Sequence, residues 1–151
     1  MLPGTLHQNL LYGIDDPDGL DQALHDAALD AFIRQLPAGL DTRVGEKGPA
    51  LSASQCQHLA IASAMLRKPR LIFFEEAGGR LGGEDAWAFH TALRRLFTGR
   101  TVMMIPCRES TFELASRTLI FRNGRIVFDG DAADAPQAKQ WPKGCLETGG
   151  A

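Results

Sequence analysis

A chain of 151 residues is long enough for one domain with a sizeable core. Its 44% hydrophobic and 23% charged residues suit a globular protein, and a formal charge of -2, from 16 basic and 18 acidic residues, speaks against a nucleic-acid binder, which would carry a basic excess. The apolar runs LIFF and VMMI are far short of the roughly 20 residues of a membrane span, MLPGTLHQN has no secretory pattern, and three cysteines without a CxxC pair (Cys56, Cys107, Cys145) argue against a zinc site or disulfide framework and for a reducing cytosolic setting.

In chain order, DDPDG (15–19) reads as a turn cluster. Leu20, Ala23, Leu24, Ala27, Ala28, Ala31 and Phe32 then recur at helical spacing. They predict one amphipathic helix of about four turns, capped by Asp18 or Asp21 and ended by Pro37 and Gly39. Residues 40–50 read as a Gly/Pro loop. A second helix is predicted from near Ser52 to about Arg67, stopped by Pro69. RLIFFE (70–75) is a short continuous apolar run, the pattern of a strand buried on both faces. EDAWAFHTALRRLF (84–97) predicts a third helix and RTVMMI (100–105) a second buried strand, together a βαβ unit of a parallel sheet. SRTLIFRNGRIVFDGD (116–131) reads as a hairpin turning at Asn123-Gly124. The tail from Ala132 has little periodicity and is expected to be loosely packed. There is no internal repeat.

Two stretches carry candidate chemistry. Ser52-Ala53-Ser54-Gln55 opens the second helix. A helix start leaves about four backbone N–H groups free with a partial positive charge, so hydroxyls and N–H groups there can hold a phosphate. A plain N-cap accounts for the same residues. Glu75 and Glu76 end a predicted strand, where parallel sheets place their ligands. One could hold Mg²⁺ while the other orients or deprotonates a water, and solvent-exposed acids at a strand end account equally for the pair. His58 reads as a packed or surface histidine, since no His or Cys partner stands at metal spacing. Cys107 has no neighbouring base to make it a nucleophile. Trp87 and Phe89 read as core or interface residues.

Taken together, these stretches resemble the nucleotide-binding (ATPase) domain of ABC transporters, in particular of exporters, over residues 2 to about 131. LPGTLHQNLLYG resembles the segment after the Q-loop, and LPAGLDTRVGEKGPALSASQCQ the exporter run that ends in the LSGGQ signature. RLIFFEEAGGRLG stands where the Walker B strand and D-loop would be, and RTVMMIPCRESTFELASRTLIFRNGRIVFDGD where the H-loop strand and closing hairpin would be. The resemblance implies an α/β fold, part of the P-loop NTPase fold. A helical signature region (about 14–67) would precede a Walker B/H-loop core of parallel strands and a hairpin (about 68–131), within a portion spanning 1–131 and followed by a tail (132–151).

It also implies ATP and Mg²⁺ as ligands. Ser52, Ala53, Ser54 and Gln55 would face the γ-phosphate held by an opposite subunit, with Cys107 at the H-loop position. Glu75 would sit at the Mg²⁺ position and Glu76 at that of the catalytic acid. Implied partners are a second nucleotide-binding domain and a transporter membrane domain, with no nucleic acid, no direct membrane insertion and a cytoplasmic or peripheral inner-face location. The motifs depart from the family pattern. GxxxxGK[ST], the P-loop that cradles phosphates, occurs nowhere in the 151 residues. LSASQ adds Cβ atoms at Ala53 and Ser54 where a backbone would approach its ligand. Glu75 replaces an Asp, carrying its carboxylate roughly 1.5 Å further out. Gly82 replaces the D-loop Asp, and Cys107, with an ordinary thiol pKa of about 8.5, replaces a His.

Three readings follow: a degenerate half lending a signature face to ATP on a partner, part of an ordinary exporter ATPase, or a non-enzymatic interaction module. Without a P-loop strand beside them, the predicted strands would present bare edges, so a chain that needs a larger assembly is expected.

Overall fold

The computed structural model describes residues 1–14, 18–45, 48, 50–75, 83–106 and 109–136. It has two compact units, Met1–Ile72 with Gly79–Val102, and Phe73–Gly78 with Met103–Ala151. Glu76, Gly82, Cys107, most of DDPDG and the tail from 137 lie outside the described residues.

The first unit begins with β1 (Gly4–Thr5) and α1 (Leu6–Leu10). Thr5 starts α1 through a capping box: its Oγ1 accepts from Gln8 N at 3.1 Å and its N–H donates to Gln8 Oε1 at 2.9 Å. The predicted loop at 40–50 contains β2 (Arg43–Val44), which pairs antiparallel with β1 in the register Gly4↔Val44 and Thr5↔Arg43. A 3-10 turn at Gly39–Asp41 precedes β2. Neither strand is long enough to show a period.

The single helix predicted after residue 19 is two helices, α2 (Leu20–Asp26) and α3 (Asp30–Gln35). Neither Asp18 nor Asp21 caps α2; Gly19, with φ of 91°, holds the N-cap position without a side-chain bond. Between the helices Ala28 takes a left-handed conformation, φ 55°. Leu29 N–H donates to Leu24 O at 2.9 Å and Ala28 N–H to His25 O at 3.0 Å, the paired bonds of a Schellman ending. Leu24 and Leu29 are both buried, as that motif favours. The apolar spacing runs unbroken through the stop, and Ala stands where Gly usually marks one.

α4 (Ala53–Leu66) packs against α1, α2 and α5 (Gly83–Phe97). Its Leu59, Ile61, Ala62 and Leu66 are buried, as are Leu6 and Leu10 of α1, Leu24 of α2, and Phe89, Leu93 and Leu96 of α5, and together they make the core of this unit. His58 is buried among them. Its Nδ1–H donates to Ala27 O at 2.6 Å, which fixes the tautomer because a carbonyl can only accept. The ring also meets Phe89 edge-on, centroids 5.9 Å apart. The packed-histidine reading is correct for His58 and the core reading for Phe89, whereas Trp87 is 74% exposed.

β3 (Leu71–Glu75) and β4 (Thr101–Ile105) form a two-stranded sheet. They start side by side, where Thr101 N–H donates to Arg70 O at 3.0 Å. The division between units falls within both strands. Burial on both faces does not hold for either: Phe73 is 73% and Ile105 61% exposed, and no third strand is bonded to the pair among the described residues. Both faces are apolar, yet only one is partly covered.

In the second unit α6 (Glu109–Phe112) precedes β5 (Arg117–Arg122) and β6 (Arg125–Asp131), the predicted hairpin. The strands pair antiparallel from Arg117↔Asp131 to Arg122↔Arg125, with an irregularity at Ile120/Phe121. Asn123 (φ 50°) and Gly124 (φ 73°) supply the positive dihedrals of a type I′ turn. Arg117 grips Asp129 diagonally across the strands, Nε to Oδ1 at 2.7 Å and Nη2 to Oδ2 at 2.8 Å. These hydrogen bonds, with the guanidinium charge, hold the Asp129 carboxyl below the usual carboxylate range.

His58→Ala should cost about 2–4 kcal/mol in urea unfolding, from an orphaned carbonyl and a void beside Phe89. His58→Asn, which can keep a donor near the Nδ1 position, should lose less. Asp129 has a depressed folded pKa, so the stability it contributes is present above the unfolded carboxyl pKa of about 3.9 and lost as pH falls through the lower folded value. Asp129→Asn should remove that dependence from the acid limb of the unfolding curve.

Candidate functional site

The start of α4 is built by local chemistry. Ser52, in extended conformation, accepts at Oγ from Gln55 N at 3.1 Å, and its own N–H donates to Gln55 Oε1 at 2.8 Å. This is the same reciprocal box as Thr5 and Gln8 make, in each case a hydroxyl residue followed three places later by Gln. The plain-cap reading of Ser52 is therefore correct as far as it goes.

The box leaves capacity unused. A hydroxyl that accepts still has one hydrogen to donate. Among the described residues the N–H groups of Ala53 and Ser54, the first two positions of α4, have no hydrogen-bond partner. Ser52 and Ala53 are exposed. One O–H and two N–H groups at the positive end of a helix of 14 residues make a donor set suited to a phosphate oxygen. Gln55 is turned back into the box, so its carbonyl serves the helix start.

The body of α4 is held on several sides. His58 ties it to the end of α2, Ser63 Oγ donates to Leu10 O at 3.3 Å, and Arg67 Nη2 donates to Tyr12 O at 2.5 Å. About one turn into the helix, Gln57 Oε1 is a buried acceptor without a partner among the described residues.

Of the other candidates, Glu75 ends β3, exposed, in the second unit. A single carboxylate is within the usual protein share of a Mg²⁺ site, whose remaining ligands are phosphate oxygens and waters. No group of three or more His, Cys, Asp or Glu placed to bind a metal occurs among the described residues. Glu76 and Cys107 lie outside them.

Sequence reading passed over a cavity of about 240 Å³ in the first unit, lined among others by Asp26, Met65, Leu66, Lys68, Arg95 and Arg100. Its only signal in the sequence is a pair of basic turns, RKPR (67–70) and RRLFTGR (94–100).

No protein-family model matches the chain. It is 37% identical over 134 residues to the mitochondrial potassium channel ATP-binding subunit of Xenopus tropicalis, covering 86% of this chain and 19% of that protein. It is 39% identical over 128 residues to the ATP-dependent lipid A-core flippase of Legionella pneumophila, covering 83% and 22%. With the ABC multidrug transporter atrD of Emericella nidulans it shares 37% identity over 140 residues, covering 90% and 10%. The structure of a bacterial Atm1-family ABC exporter with ATP bound superposes with a TM-score of 0.75 at 32% identity, covering 89% of this chain and 24% of that one. The chain thus spans between about a tenth and a quarter of the length of these relatives. Matched over most of its length in sequence and in fold, the chain is a homologue of ABC exporters, corresponds to a small part of them, and is consistent with a fragment of their ATPase domain.

Proposed function

We propose that this chain is a degenerate portion of an ABC-exporter ATPase domain that lends a signature half-site to ATP held by a partner nucleotide-binding domain. Homology to the ATP-binding regions of exporters supports a role in a transporter ATPase domain. The observation that carries the finer reading is the start of α4, where the capping box orients Ser52 and leaves its O–H, with the Ala53 and Ser54 N–H groups, without an acceptor among the described residues. On this reading residues 1–131 are part of a P-loop NTPase fold, with signature region 14–67, Walker B/H-loop core 68–131 and tail 132–151. Ser52, Ala53 and Ser54 hold the γ-phosphate edge, and Gln55 keeps Ser52 in place. Glu75 would ligate Mg²⁺, Glu76 would act on the attacking water, and Cys107 would take the H-loop position.

The partners are a complete nucleotide-binding domain and an exporter membrane domain, with the chain on the cytoplasmic side. No helix among the described residues is long and apolar enough to cross a membrane. The bare Phe73 and Ile105 favour the same reading, since they offer an apolar face for the rest of an ATPase domain to cover.

The test separates cap from phosphate contact. Asp is as good an N-cap as Ser but brings a negative charge and no hydrogen to donate. Ser52→Asp should leave the unfolding midpoint unchanged, yet reduce by about tenfold or more any ATPase rate the chain supports when mixed with a complete exporter nucleotide-binding domain. An unchanged rate would remove the half-site role and leave an interaction module. Millimolar Mg-ATP should not raise the unfolding midpoint of the chain alone, whereas a site filled to a hundred times its Kd would add about 2.7 kcal/mol.

A further inference from the structure

We propose that the basic end of the first unit, where α4 and α5 finish, is a docking surface for an acidic segment of a partner protein. The inference is independent of nucleotide. Thr101 N–H bonds to Arg70 O and so holds the turn after α4 beside the turn after α5. RKPR and RRLFTGR contribute Arg67, Lys68, Arg70, Arg94, Arg95 and Arg100 and no acid, six of the 16 basic residues of a chain whose net charge is -2.

Helix dipoles account for part of this. Cations complement the negative ends of helices, and Arg100 bonds Leu96 O in that way. Arg67 is engaged with Tyr12 O, and Arg95 with Asp26 (3.5 Å) and the carbonyls of His25 and Asp26 (3.4 Å each). The side chains of Lys68, Arg70 and Arg94 are different: all three residues are exposed, and none has a side-chain partner among the described residues.

A half-open cleft beside them offers a place for one side chain of the occupant. Lys68, Arg95 and Arg100 line it together with apolar Ala23, Met65 and Leu66. Of its two acids, Asp26 is paired to Arg95 and Asp18 also has a partner. At about 240 Å³ it lies below the roughly 300–1,000 Å³ of small-molecule sites, a size for one inserted side chain. A Glu entering it can lay its methylenes on Met65 and Leu66 and its carboxylate against Lys68, while further acids meet Arg70 and Arg94. Nucleic acid suits the surface less, because the net negative charge of the rest of the chain opposes a long polyanion.

The test is fluorescence anisotropy of a labelled peptide of alternating glutamate and leucine, titrated with the full chain. Binding should weaken as ionic strength rises toward about 0.15 M. It should fall by about tenfold or more in the Arg70→Glu/Arg94→Glu double variant, while Arg125→Glu on the hairpin leaves it unchanged. Lys68→Glu, tested separately, should also weaken it, and circular dichroism should show all variants folded. Absence of binding, or equal binding by the double variant, would overturn the proposal. So would binding of phosphatidylserine vesicles or single-stranded DNA where the peptide does not bind.

Discussion

The hydrogen bond from His58 to Ala27 O organises the first unit. It joins the middle of α4 to the end of α2, and the same imidazole rests its edge against Phe89 of α5. A buried carbonyl at a helix end would otherwise be an unmet acceptor. With the histidine in place, α2 can stop at Asp26, Ala28 can take its left-handed turn, and Leu29 can fold back onto Leu24. The start of α4 lies less than two turns from this anchor, so the position of Ser52 depends on a contact made across 31 residues of sequence.

Much of the fold was legible where a local rule and the tertiary structure agree. Ser52 and Pro69 bracket α4, Asn123-Gly124 turns the hairpin, and the spacing of Phe89, Leu93 and Leu96 declares the buried side of α5. The break in the first predicted helix was not legible, because no Gly or Pro marks it: Ala28 takes the left-handed turn, and the contacts beside it, Leu29 folded back on Leu24 and His58 on Ala27 O, do not show in the apolar spacing. β1 and β2 were missed for being two residues each. The burial of β3 and β4 was misread for a different reason. A continuous apolar run reports what a strand is suited to, and whether a neighbour covers it is a property of what lies beside it.

The candidate site divides along similar lines. Ser52 through Gln55 could be located from their place before an apolar helix, and both the cap and the donor capacity followed from the same residue types. Which carbonyl or hydroxyl is already engaged could only come from geometry: Gln55 turns inward to the box, and two N–H groups have no acceptor among the described residues. An ordinary helix cap and a phosphate contact are therefore compatible at one turn. The cap uses the hydroxyl oxygen as an acceptor and the ligand would use its hydrogen.

The uncovered β3–β4 pair has a consequence for the life of the polypeptide. LIFFE and TVMMI contain no Lys or Pro to guard their outer edges, and Phe73 and Ile105 are presented to solvent. Where nothing covers it, such a ribbon can add an extended strand of suitable shape, a second copy included, so self-association rises with concentration, and copies left without cover become clients of chaperones and proteases.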